Sequence, residues 1–147
     1  MRSKKLLVVA LAGVPLLVAA RTERGHRTTL SRTTWDSVYS ATQAARGETA
    51  YVKSCARCHR ESLAGADESP ALTGSSFLAN WNGQSLAALH DRIRSSMPTD
   101  DPGTLSKQVV SDVVAYMLKV NGFPAGGQEL ATELDSLKGI VLQATKP

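Results

Sequence analysis

The sequence predicts a small, nearly all-helical domain. Three observations predict it: apolar residues recur with helical spacing in three segments, no segment alternates in the manner of a strand, and Gly/Pro clusters stop the helices. At 147 residues the chain holds one such domain with appendages at either end. It has only seven aromatic residues (two Trp, three Tyr, two Phe), a thin supply for a core of this size. A large flat apolar cofactor would make up the deficit.

The first segment, residues 1–20, reads as an export signal. Met1 to Lys5 is positively charged, Leu6 to Ala20 is about as long as a signal-peptide apolar region and too short for a membrane span, and Val18-Ala19-Ala20 offers a small-residue cleavage site. Cleavage is expected, an uncleaved anchor being the alternative; in both cases the working domain lies outside the cytoplasm, in the periplasm. Residues 21–34 are rich in Arg and Thr, lack an apolar period and read as a flexible linker containing a solvated His26.

The formal charge of +4 comes largely from the leader. Of 17 basic residues, Arg2, Lys4 and Lys5 lie in residues 1–20, leaving 14 against 13 acidic ones. No basic run is interleaved with aromatics, so nucleic acid is excluded as a partner.

The folded part, residues 35–124, begins near Trp35. Ala41 to Ser54 is the first helix, with Ala44, Gly47, Ala50 and Tyr51 on one face. Gly47 costs about 1 kcal/mol against Ala inside a helix, a cost that a close helix crossing would repay. Residues 61–76 read as loops, and Phe77, Leu78 and Trp81 as one helical turn. Ser85 is the N-cap of a helix running to Ser95, with Leu86, Leu89 and Ile93 as its buried stripe and His90 off that stripe on the surface. A last helix runs from Ser106 to Val120 with Val109, Val113, Tyr116, Met117 and Val120 on one face; Asn121, Gly122 and Pro124 stop it. Residues 125–147 read as a tail folding back on the domain.

The chemistry is concentrated at Cys55-Ala56-Arg57-Cys58-His59. On a helix, positions 55, 58 and 59 share one face. Two thiols can then add across the vinyl groups of a porphyrin, and the histidine lies under the iron. This is the spacing of c-type haem attachment, and both cysteines of the chain are used in it. A thiol–disulfide exchanger also uses CxxC, but in a βαβ setting. A zinc site wants four ligands, and no second pair is present. A chance match in a helical binding module is the remaining alternative.

An iron held by His59 needs a sixth ligand or stays open. Met117 sits on an apolar helix face and reads as core. Met97, at a helix end before Pro98, is the expected distal ligand; Met/His ligation raises the potential and closes the iron to small molecules. A ligating histidine also donates its second ring N–H to an oxygen. The acceptor expected here is the carbonyl of Pro70, in Pro70-Ala71-Leu72-Thr73-Gly74.

Residues 36–124 resemble the class I c-type cytochromes. The likeness is carried, in order, by the helix with Gly47 and Tyr51, by CARCH, by Pro70–Gly74, and by Met97-Pro98 followed by the helix with Tyr116. It implies an all-α class I fold around one covalent haem c. It also implies that Gly47 and Tyr51 cross the last helix near Tyr116, that Pro70, Leu72 and Trp81 line the haem pocket, and that His59 and Met97 bind the iron. For Trp81, plain core packing is an equal alternative.

Val38–Gly47 and Phe77–Trp81 look like periplasmic cytochromes found beside or fused to quinoprotein dehydrogenases. That implies redox proteins as partners: a quinoprotein dehydrogenase as donor, and a terminal oxidase or another cytochrome as acceptor. Two departures stand out. The lysine-rich face of mitochondrial relatives is absent, and the tail after Pro124 is extra. The expected function is electron transfer by a monomeric, non-enzymatic carrier. The alternatives are a five-coordinate haem enzyme or gas sensor and, further off, a thiol redox module.

Overall fold

A computed structural model describes residues 32–147 of the chain. The leader and most of the segment read as linker lie outside the described residues. In chain order the elements are β1 (Arg32–Thr33), α1 (Ala41–Ser54), α2 (Ala56–His59), α3 (Gly74–Trp81), α4 (Leu86–Ser96), α5 (Lys107–Val120), α6 (Leu134–Leu137) and β2 (Ile140–Val141).

Three helices start on serine caps. The side chains of Ser40, Ser85 and Ser106 accept the backbone N–H groups of Gln43, Ala88 and Val109, satisfying donors that the first turn leaves unpaired. The centre of the fold is the crossing of α1 on α5. Gly47 permits it: a Cβ there would stand 1.8 Å from the Asp112 backbone oxygen. Beside the crossing, the Tyr51 and Tyr116 rings pack at a 52° tilt, 5.4 Å between centroids. Arg46 grips both carboxylate oxygens of the buried Asp112 at 3.1 and 3.0 Å, and both oxygens of Glu129 at 2.9 Å. The crossing is thereby tied to the tail.

Four expectations are corrected. α5 is not buried along one stripe. Residues 110–118 are all buried and Val120 is exposed, because α1, α4 and the tail enclose the helix on several sides. α3 is two turns long rather than one. The linker reading fails for residues 32–34: Arg32 and Thr33 pair in parallel with Ile140 and Val141, and Thr34 is fully buried. Two distant segments supply that ladder, so neither shows it locally.

The fourth correction is His90, which is buried rather than on the surface. α4 packs against both α5 and α6, which widens its buried arc beyond Leu86, Leu89 and Ile93 to take in Ala87 and His90. The Nε2–H of His90 donates to the Lys107 carbonyl at 3.2 Å, and Nδ1 has no partner. Burial holds the imidazole below its ordinary value. The Lys107 carbonyl opposes that, Arg94 and Lys107 add to it, and Asp91 opposes it.

An acid-sensitive contribution to stability follows. The unfolded chain takes up a proton on this ring near pH ~6.5, where the folded chain resists it. The stability is full above that pH and is lost as pH falls through it towards the lower folded value. His90→Gln is expected to flatten the fall in Tm between about pH 7 and 5. Thermal melts of both proteins across that range check it; since His26 and His59 are common to both, parallel curves would remove His90 as the source.

The tail completes the core with Leu130, Leu137, Ile140 and Leu142. Its polar backbone is satisfied by the domain. Gln43, fully buried, donates to the Leu130 carbonyl at 3.0 Å and accepts the Leu130 N–H at 2.6 Å. Gly83 N–H donates to Leu142 O, and Leu142 N–H to Gln84 O, both at 2.8 Å. Those two bonds fasten the tail to the turn that follows Trp81.

Candidate haem site

The helix of α1 breaks at Cys55 (φ −125°, ψ −34°) and resumes as α2. Helical bonding carries across the break: the Cys58 and His59 N–H groups both donate to the Cys55 carbonyl, at 3.1 and 2.9 Å. The two cysteines and the histidine therefore share one face. Arg60, at φ 62°, ends α2, and its carbonyl accepts the Tyr51 hydroxyl at 2.7 Å.

The loop after His59 then turns back on itself. Gly65 N–H donates to His59 O at 3.1 Å and Leu72 N–H to Leu63 O at 2.8 Å. Gly65 lies at φ +75°, and a Cβ there would come within 2.5 Å of the Ser69 carbonyl, so this return needs glycine. The folded loop brings the Pro70 carbonyl 2.8 Å from His59 Nδ1. A carbonyl only accepts, so Nδ1 carries the proton and Nε2 keeps its lone pair.

His59 borders a cavity of about 610 Å³, inside the range of about 300–1,000 Å³ found for cofactor sites. Its walls are largely apolar: Leu72, Phe77, Trp81, Leu89, Ile93 and Val113 contribute. Cys55, Cys58, Pro70 and Met97 also border it, as does Met117 on α5. All seven residues singled out in the sequence thus meet at one cavity. His90 is not among its lining residues.

Met97 caps α4 in extended conformation, its N–H bonded to Ile93 O at 2.9 Å. Exposed charges of both signs border the rim of the cavity: Lys53, Arg57 and Arg92, and Glu68, Asp100 and Asp101.

Sequence reasoning missed Asn121, which does more than end α5. Its amide donates to Leu72 O at 3.0 Å and accepts Gly74 N–H at 3.1 Å, bracing the Pro70–Gly74 wall. The contact joins residues nearly fifty apart, and no local signal marks it.

The residues fit a covalently held haem. The cysteines are free thiols on one face, the histidine has a ring nitrogen available, and the space is large and apolar. They fit the alternatives poorly. A thiol exchanger needs a lowered thiol pKa, whereas burial, with Cys58 alongside, pushes the Cys55 thiol up to about 11. Among the described residues no three His, Cys, Asp or Glu side chains are grouped to hold a metal ion, as a zinc site requires.

The fold and site define a class I c-type cytochrome domain, a haem-binding electron carrier. The family model described as cytochrome c oxidase, cbb3-type, subunit III matches residues 42–117, and the chain belongs to that family. Among solved structures, a chain of the sulfane dehydrogenase SoxCD from Paracoccus pantotrophus matches with a TM-score of 0.51 at 21% identity. The match covers 74% of this chain and 61% of that one, so this chain spans about three-fifths of its relative's length. No curated protein matches in sequence.

Proposed function

We propose that the protein is a periplasmic monohaem cytochrome that carries single electrons between redox proteins. Cys55 and Cys58 would hold the haem by two thioethers, and His59 and Met97 would bind its iron. The observation that carries this reading is the 2.8 Å contact from His59 Nδ1 to Pro70 O at the edge of a large apolar cavity. It aims the free Nε2 lone pair away from the loop, which is the set-up of a ligating histidine.

The haem, when bound, supplies the one-electron chemistry. The chain does the rest. Pro70 fixes the tautomer of His59, and Asn121 fixes the segment bearing Pro70. Leu72, Phe77, Trp81 and Ile93 exclude water. The Met97 thioether would take the remaining position on the iron and leave none for a substrate, which supports a carrier over an enzyme.

The location rests on the leader of residues 1–20, which lie outside the described residues. No described helix is long and apolar enough to cross a membrane. Mixed charge at the rim favours brief, weakly steered encounters, as redox contacts usually are. A quinoprotein dehydrogenase is the proposed donor, on the likeness of Val38–Gly47 and Phe77–Trp81. A terminal oxidase or another cytochrome is the proposed acceptor, and the family's name, that of an oxidase subunit, favours an oxidase.

Protein matured in the periplasm tests the reading. Its mass after denaturation is expected to exceed that of the chain by one haem. Cys55→Ala and Cys58→Ala should each leave one thioether or no holoprotein. An unmodified chain with a free dithiol would overturn the assignment. A high-spin spectrum with ready carbon monoxide binding would replace the carrier with the five-coordinate alternative.

A further inference from the structure

Arg57 and Asp100 have so far figured only among the charges bordering the cavity. Arg57 stands between the two cysteines on α2. Asp100 lies three residues past Met97, in the loop joining α4 to α5. The Arg57 guanidinium donates to the Asp100 carboxylate at 2.5 Å, and both residues border the cavity. The pair joins positions 43 apart in the chain.

The rest of that loop is fastened only locally. Met97 N–H donates to Ile93 O, Asp101 N–H to Pro98 O, and the Thr104 hydroxyl to Asp101 O. At its far end Arg94 reaches the Leu105 carbonyl. Among the described residues, the Arg57–Asp100 pair is the hydrogen-bonded link between the Met97 loop and the segment carrying Cys55, Cys58 and His59.

We infer that this ion pair is a clasp across the mouth of the cavity, and that Arg57 and Asp100 are positioning residues for Met97. The inference rests on the proposed ligation by Met97. The clasp ties the distal loop to the haem-bearing segment and so sets how readily Met97 yields the iron to a competing ligand. Its strength is modest, since the two side chains are 75% and 58% exposed and exposed pairs are weakened by water and salt. The distal side is therefore held by a salt-sensitive contact.

Titration of the ferric holoprotein with imidazole, which competes with a thioether for the iron, tests the clasp. Asp100→Asn leaves the attachment motif intact. At low salt it is expected to bind imidazole about two- to five-fold more tightly than wild type, the span an exposed ion pair can account for. The difference should vanish near 1 M salt, where the screening length falls to about 3 Å. Asp100→Glu should retain wild-type behaviour, and Asp100→Lys, which opposes like charges, should exceed the effect of Asp100→Asn.

Equal imidazole affinity of wild type and Asp100→Asn at low salt would overturn the clasp, as would a difference that persists unchanged in 1 M salt. Failure of the underlying reading looks different. Either wild type itself would lack the weak far-red band of a ferric iron–thioether bond and take up imidazole without competition, or the band would survive in Met97→Ala.

Discussion

Gly47→Ala is expected to cost the protein about 3 kcal/mol or more, a substantial share of the margin of a domain whose total stability is about 5–15 kcal/mol. The added methyl carbon would stand 1.8 Å from the Asp112 carbonyl oxygen, 2.4 Å from its carbonyl carbon and 3.0 Å from Tyr116 Cβ. The first two are backbone atoms inside α5, so no side-chain rotation relieves the overlap. The helices must move apart. Separation loosens the Tyr51–Tyr116 ring contact and the Arg46–Asp112 grip together. It also shifts α1 relative to Met117 and Val113, which border the cavity from α5.

Gly139→Ala is the control. It has open space around its Cβ position and should change stability by no more than about 0.5 kcal/mol. Guanidinium unfolding of the two holoproteins, at equal haem content, makes the comparison. A Gly47→Ala protein within about 1 kcal/mol of wild type would mean that the crossing is not the close contact described, because overpacking alone costs typically 1–3 kcal/mol.

Features of the fold written in neighbouring residues were legible in the sequence. α4 and α5 carry their caps, apolar periods and stop signals within a dozen or so residues, α1 its helix formers and apolar face, and the ends of all three lie within a residue or so of the expected ones. The site motif was legible for the same reason: Cys55, Cys58 and His59 are brought to one face by helix geometry alone. Residues whose role depends on a distant partner were opaque. His90 reads as a surface residue until α5 and α6 are known to pack against its helix. Arg32 and Thr33 read as linker until Ile140 and Val141 arrive beside them. Gln43 reads as an ordinary helical glutamine, and only the folded tail supplies the Leu130 peptide group that satisfies it. Asn121 and Asp100 act across 49 and 43 residues respectively, beyond any window in which periodicity or capping operates.

The distal side shows the same division. Helix position alone separates Met97 from Met117, yet both border the cavity. Met117 is almost fully buried, in the middle of α5. Met97 lies at the end of α4, in extended backbone, only partly buried. A thioether on such a loop can reach into the cavity, whereas one in the middle of a packed helix is already committed to its neighbours.

Met97→Ala is therefore expected to leave the haem in place, since Cys55, Cys58 and His59 are untouched, while the sixth position opens. Three changes should appear together. The far-red band of the ferric protein is lost, the ferrous protein binds carbon monoxide, and the reduction potential falls on the order of 0.2 V, within the ~0.8 V that axial ligands command. Met117→Ala separates ligation from packing. It should keep the band and the closed iron but lose about 2–5 kcal/mol of stability, as truncation of a buried methionine does. Should the band survive in Met97→Ala and disappear in Met117→Ala, the ligand is on α5 and the loop is only a lid. The Arg57–Asp100 pair would then hold a cover over the haem edge instead of a ligand, and its removal would leave the affinity for imidazole unchanged.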